Sequence, residues 1–337
     1  MQHPFPARRQ AQPSGVIEAL SAGYATVNRH LWVLVLPILV DLVLWFGPHV
    51  SYSPLVDPTV TRASEMVSQV STGPRRAPRD LEFASSVDTA RQWLIARTGE
   101  VNALTLVAHG PIAIPSLDLS NGQGDFAFVS DWGAGLGLLA AIVLSGLFVG
   151  GCFYSGLAEA SSGRPANPLR LGRCAPRYIA RVLGLLCALI GVGLLLGLPV
   201  LLLVAFTWFV ARAVATFALL LVGVALLVIA LYLFFALDAI FVSDVGPLSA
   251  IQRSVGVVRR HLLASIALVL LTWLILAGMD RVWDLLAGNL QPPFGIALSI
   301  LGNAYIASGL IAASMIFYTE RTESPPSAAT ASAVSPS

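Results

Sequence analysis

Asp41 is the residue whose type and position most invite chemistry, because it stands ten residues into an apolar run that starts at Leu31 and ends at Phe46. At 1.5 Å of rise per residue this puts the carboxyl about 15 Å along a helix axis, close to the middle of a bilayer. An acid at that depth is costly, faces the interior of a bundle and marks proton or ion routes often enough to be a default functional candidate. The structural alternative is a hydrogen bond between helices, from Asp41 to backbone or to Ser145, Thr207 or Asn303. Both readings stay open at this point.

The remaining reactive side chains assemble into nothing familiar. Asp238 and Glu159 fall at the ends of apolar runs, where surface ion pairing accounts for them. The five histidines make neither HExxH nor an H-x-E with C-x-x-C, so no zinc site is expected. Walker A spacing and a G-x-S-x-G elbow are also missing from the sequence. Cys152, Cys174 and Cys187 lack CxxC spacing and read as free, mostly buried thiols. No cofactor and no enzymatic activity are expected.

The elements that would position Asp41 are membrane spans. Hydrophobic residues make up 56% of the 337, charged residues only 11%, and mean hydropathy is +0.78, more apolar surface than a soluble core of this size could hide. A stretch from Val182 to Val210 has no charged side chain at all. The sequence predicts an all-α polytopic membrane protein, a six-helix transmembrane bundle with a small extracytoplasmic helical cap. Spans are expected at 31–46, 132–156, 182–205, 213–236, 262–279 and 296–318, preceded by a cytoplasmic N-terminal segment over 1–30. The first reads as a retained span rather than a cleaved signal, and 324–337, rich in Ser, Ala and Pro, reads as a disordered tail.

Arginine distribution orients the bundle. Twelve arginines flank the spans on one face and only Arg212 and Arg281 on the other, which predicts an inner-membrane protein with both termini in the cytoplasm. Every one of the 20 basic residues is arginine, which reflects composition bias, and a net charge of +2 gives no ground for a nucleic-acid partner. The polar insertion 49–131 then lies outside, where Asp80 can cap an amphipathic helix carrying Phe83, Val87, Leu94 and Val101. Small residues recur every four positions at Gly146 and Gly150, at Gly193 and Gly197, and at Ala304, Ser308 and Ala312, forming packing seams.

The cytoplasmic loop between the fourth and fifth spans carries the most patterned segment, Gly246 to His261. Pro247 suits a first helical turn, and Leu248, Ile251, Val255 and Val258 make one apolar stripe, with Arg253 and Arg260 projecting from the polar side and Arg259 beside them. This predicts a short interfacial helix over 247–260 whose partner is membrane lipid with anionic headgroups, through Arg253, Arg259, Arg260, Leu248 and Ile251. A helix that docks on a membrane-protein partner has the same pattern.

The Gly246-Pro-Leu-x-Ala-Ile-x-Arg-Ser254 stretch resembles the signature of a family of multi-span proteins that includes the membrane domain attached to some glycerophosphoryl diester phosphodiesterases. Gly15-Val-Ile-Glu-Ala-Leu20, followed by Asn28-Arg-His-Leu-Trp32 and an apolar run, is similar to the way such proteins begin. The resemblance implies an integral membrane module. It does not extend to 49–131, and nothing here supplies the paired histidines and acids of the catalytic barrel, so the activity does not carry over. An accessory or organising component follows as the first expectation, a transporter or channel using Asp41 as the second, and a membrane-embedded lipid enzyme as the third.

Overall fold

A computed structural model describes residues 15–70, 78–100, 102–117, 126–163, 168–291 and 293–323. Helix α1 (Val16–Arg29) is followed by a 3-10 turn (Leu31–Leu34) and α2 (Val35–Phe46). The insertion contributes β1 (His49–Ser51), α3 (Ser53–Val70), α4 (Pro78–Glu100), α5 (Thr105–His109) and β2 (Phe126–Phe128). Then come α6 (Trp132–Ser161), α7 (Pro168–Val192), a π-turn (Gly193–Gly197), α8 (Leu198–Val210), α9 (Arg212–Leu233) and α10 (Ala236–Ser243). The chain ends in α11 (Pro247–Arg260), α12 (Leu262–Asn289) and α13 (Phe294–Glu323). The protein is all-α and polytopic.

Among the described residues, five helical stretches are long and apolar enough to cross a membrane: Trp132–Ser161, Cys174–Trp208, Arg212–Ser243, Leu262–Asn289 and Phe294–Thr322. A sixth is counted only if α1 and Leu31–Phe46, broken at His30, are taken as one. These stretches include the five later spans expected from sequence and run several residues past them, because the flanking turns keep helical geometry beyond the apolar core. The glycine-rich stretch Asn121 to Gly124 and the tail 324–337 lie outside the described residues, as does Val101, and the side chains of Asp80 and Phe83 are also outside them.

The chain divides into two compact units, residues 1–35 with 151–337, and residues 36–150. In the first, α13 is the central helix: 56% of its most apolar window is buried against 6% for Cys174–Trp208 and Arg212–Ser243, whose leucines face outward. Ala304, Ser308 and Ala312 are fully buried, as the seam of small residues requires. Helix α1, for which the sequence reading gave no element, buries Ala19, Leu20, Gly23 and Val27 along one stripe and lies against α13. Gly23 sits so close to the Gly309 carbonyl and the Ala313 amide that a Cβ there would be 2.4 and 2.6 Å from them. A Cβ added at Gly193 or Gly197 would meet nothing within 4 Å among the described residues.

In the second unit β1 and β2 pair in parallel, His49 opposite Phe126, and α3 packs on α4. Asn102 Oδ1 accepts from the amides of Val50 and Leu104 at 2.9 and 3.1 Å, tying the strand to the start of α5. From α5 to Leu117 the chain leaves the surface and packs between helices. Ala108 and Ile114 cluster with Val40 of α2, flanked by Leu44 and Val149. A Cβ on Gly146 would lie 2.8 Å from the Val107 carbonyl, and one on Gly150 would lie 2.9 Å from Ile112 side-chain atoms. Gly150 is about 27 Å along α6 from Trp132, so this part of the insertion packs far along the apolar length of α6.

Candidate functional site

Asp41 lies on the buried side of α2 and is only 2% exposed. Its Oδ1 accepts from the Ser116 hydroxyl at 2.5 Å and from the Leu117 amide at 3.2 Å. The physical reason is in the backbone. Non-helical chain at membrane depth leaves N–H groups that hydrocarbon cannot satisfy, and it persists only where protein supplies the partners. Along 110–117 the Ile114 amide returns to the Ala108 carbonyl at 2.8 Å and the Leu117 amide reaches Asp41. The carboxyl thus anchors the Ser116–Leu117 end of this segment to α2. Among the described residues Asp41 Oδ2 has no hydrogen-bond partner.

Two of the partners expected from sequence are committed elsewhere. Ser145 donates to the Ile142 carbonyl at 2.7 Å and Thr207 to the Val204 carbonyl at 2.9 Å, both within their own helices. Asn303 is buried on α13. Ser116 escaped the sequence reading because Pro111 and Pro115 mark an irregular loop, and loops are placed at surfaces by default. The seam at Gly146 and Gly150 was the one signal that something would pack there.

Asp238 also differs from its sequence reading. It is 3% exposed on α10, with Ser314 of α13 and Tyr154 beside it, rather than paired at a surface. Tyr154 stacks on Phe241 at 5.3 Å and Phe241 on Tyr178 at 4.9 Å, so an aromatic row joins α6, α10 and α7.

The patterned segment forms α11, and its buried face is Ala250, Ser254, Val257 and Val258. That face is turned by roughly a quarter of the helix circumference from the expected stripe, at about 100° per residue. Val258 is shared, Ile251 and Val255 are half-buried, and Leu248 is 69% exposed. Arg253, Arg259 and Arg260 are exposed. The motif residues do specific work. Pro247 fills the space over Gly184 of α7, where a Cβ would come within 2.9 Å of its ring. Ser254 accepts from the Phe235 amide at 3.1 Å and donates to the Tyr232 carbonyl at 2.6 Å, bridging the break between α9 and α10. His261, at the α11–α12 junction, is held below its ordinary 6.5 by partial burial and by the guanidiniums of Arg321 and Arg260. It is therefore neutral at pH 7, and the positive charge of this helix end rests on arginine alone.

Among the described residues no group of three or more His, Cys, Asp or Glu could hold a metal ion. No protein-family description, curated protein or solved structure matches the chain.

Proposed function

We propose that this chain is a non-enzymatic, six-span component of the inner (plasma) membrane, accessory or organising in role, with both termini in the cytoplasm. The observation that carries this reading is the use made of Asp41. Its carboxyl closes the backbone hydrogen bonds of a segment inserted between α2 and α6, which is a structural task. The membership suggested by Gly246 to Ser254 fits the same role, because Pro247, Ala250 and Ser254 all serve packing. The outward side of α11, with Leu248 and the three arginines, suits anionic headgroups at the cytoplasmic face, each arginine contributing on the order of 1 kcal/mol there.

Transport is the second reading, and the unpartnered Oδ2 of Asp41 favours it. Two substitutions separate them. In the structural reading Asp41→Asn keeps an acceptor for Leu117 and Ser116 and costs less than about 1 kcal/mol, while Asp41→Leu strands both donors and costs about 1 to 3 kcal/mol. Thermal unfolding in nanodiscs measures both. Loss of an ion-dependent flux in proteoliposomes with normally folded Asp41→Asn would reverse the assignment.

Orientation is tested by labelling at exposed positions. Ala63→Cys on α3 should react with an impermeant maleimide in intact cells, and Gln252→Cys on α11 only after permeabilisation, both in a cysteine-free background. Ser254 is unsuitable for this purpose, being fully buried. The opposite pattern sinks the cytoplasmic assignment of the termini.

A further inference from the structure

Asp238 is buried inside the span Arg212–Ser243, only 3% exposed, and among the described residues its Oδ2 has no hydrogen-bond partner. The groups packed around it supply no charge to balance a carboxylate. From α13 comes the Ser314 hydroxyl, and from α6 the phenol of Tyr154, near enough to interact with it electrostatically. On α7, Arg177 and Arg181 are engaged by Asp244, past the end of α10. On α11, Ser254 is bonded across the α9–α10 break, and Arg253, Arg259 and Arg260 are exposed. An acid buried without a cation beside it settles its charge by binding a proton.

The hydrogen bonds agree with this. Ser314 has one hydroxyl proton, and it goes to the Ile311 carbonyl at 2.9 Å. The Ser314 oxygen then faces Asp238 as an acceptor, so the carboxyl must bring the proton of the bond between them.

A route to water lies close by. A cavity of about 270 Å³ opens among α6, α7 and α10, lined among others by Ser155, Cys174, Phe241, Val242 and Asp244. Two spans end beside it, at Ser161 and Ser243, and a third begins at Cys174 on its wall, so the cavity lies where hydrocarbon gives way to headgroups. Phe241 and Val242 follow Asp238 by one helical turn, which puts this wall about 5 Å along α10 from the acid. Tyr154 spans the same step, since its ring stacks on Phe241 at 5.3 Å while its phenol interacts with Asp238.

We propose that Asp238 is a proton-binding site that loads from, and unloads to, the water of this cavity. On loading, a proton from cavity water adds to the carboxylate oxygen beside Ser314, and the new O–H donates to Ser314 Oγ while the serine proton stays on the Ile311 carbonyl. On release the proton passes back to water, and the Ser314 hydroxyl turns from Ile311 to donate to the carboxylate. This goes beyond the accessory reading and holds equally for a transporter, and no part of it needs the membrane orientation assigned above.

The test uses the full chain in nanodiscs, with infrared difference spectra recorded between alkaline and acid buffer. A protonated-carboxyl band should grow on acidification, and part of it should be lost in Asp238→Asn. A spectrum that Asp238→Asn leaves unchanged overturns the proposal, as does an Asp238 band of constant size at every pH, which would mark a proton that never leaves. Should Asp238→Asn fail to fold, Ser314→Ala decides, because loss of the acceptor should move the carboxyl band to higher frequency; an unmoved band overturns the site. Access is read at Cys174, with Cys152 and Cys187 replaced by serine. A methanethiosulfonate on Cys174 narrows the cavity and should slow growth of the band after a pH jump, with no slowing in a chain that lacks all three cysteines. An unchanged rate overturns the route through the cavity.

Discussion

Ser254→Ala should lower the unfolding free energy by about 2 to 4 kcal/mol, since it strands one buried and one partly buried backbone group, a buried one costing about 1 to 3 kcal/mol and the other less. The groups are the Phe235 amide and the Tyr232 carbonyl, which face one hydroxyl because α9 stops at Leu233 and α10 starts at Ala236. In a helix that continued, these groups would bond along the chain. Phe235 is itself fully buried and stacks on Phe317 at 5.4 Å, so the turn cannot swing out to find water. Ser249→Ala on the exposed side of the same helix should change stability by less than about 0.5 kcal/mol. Melting of both variants in nanodiscs checks this, and equal melting temperatures would show that the α9–α10 break satisfies itself.

This serine also shows what the sequence could and could not reveal about α11. Proline at the first turn and the apolar repeat announced a short helix over 247–260, and that helix is present. The face was misjudged because apolar periodicity counts large hydrophobic residues, whereas the face buried in protein is built around Ala250 and Ser254, which score as small or polar. Close helix approach selects small side chains, and Leu248 is left outward, where the surroundings are the membrane boundary.

The spans were legible for an opposite reason. Lipid-facing helices such as α8 and α9 expose leucine and valine all round, and a run without charge needs no knowledge of neighbours to be recognised. The depth of Asp41 followed from the same counting. Its partner did not, because Ser116 is 75 residues away and the segment that carries it looks like any proline-bearing loop. Contact with Gly146 and Gly150, with Val40 and with the Asp41 carboxyl holds that segment between helices, a tertiary fact that local pattern cannot encode. Helix α1 was missed in a similar way, its stripe of Ala19, Leu20, Gly23 and Val27 being too modest to register as apolar.

Gly23→Ala should cost about 3 kcal/mol or more, at the upper end of the range for overpacking, although alanine is the better helix former by up to about 1 kcal/mol. The added Cβ would meet the Gly309 carbonyl oxygen at 2.4 Å and the Ala313 amide nitrogen at 2.6 Å, and both belong to backbone in the middle of α13. Neither can rotate away, so α1 must lift off the helix it packs against. Lifting it strains the hydrogen bonds from Tyr24 to the Ile306 carbonyl and from Tyr305 to Asn28. Gly309→Ala probes the same contact from the other side at lower cost, because there the Cβ meets the ring of Tyr24, which can shift. Gly256→Ala, on α11 with nothing within 4 Å of the new carbon, should instead stabilise by a few tenths of a kcal/mol. Thermal unfolding of the three variants should rank them Gly256→Ala, Gly309→Ala, Gly23→Ala from most to least stable. If Gly23→Ala melts with Gly256→Ala, then α1 is not clamped to α13 and the central place given to that helix pair fails.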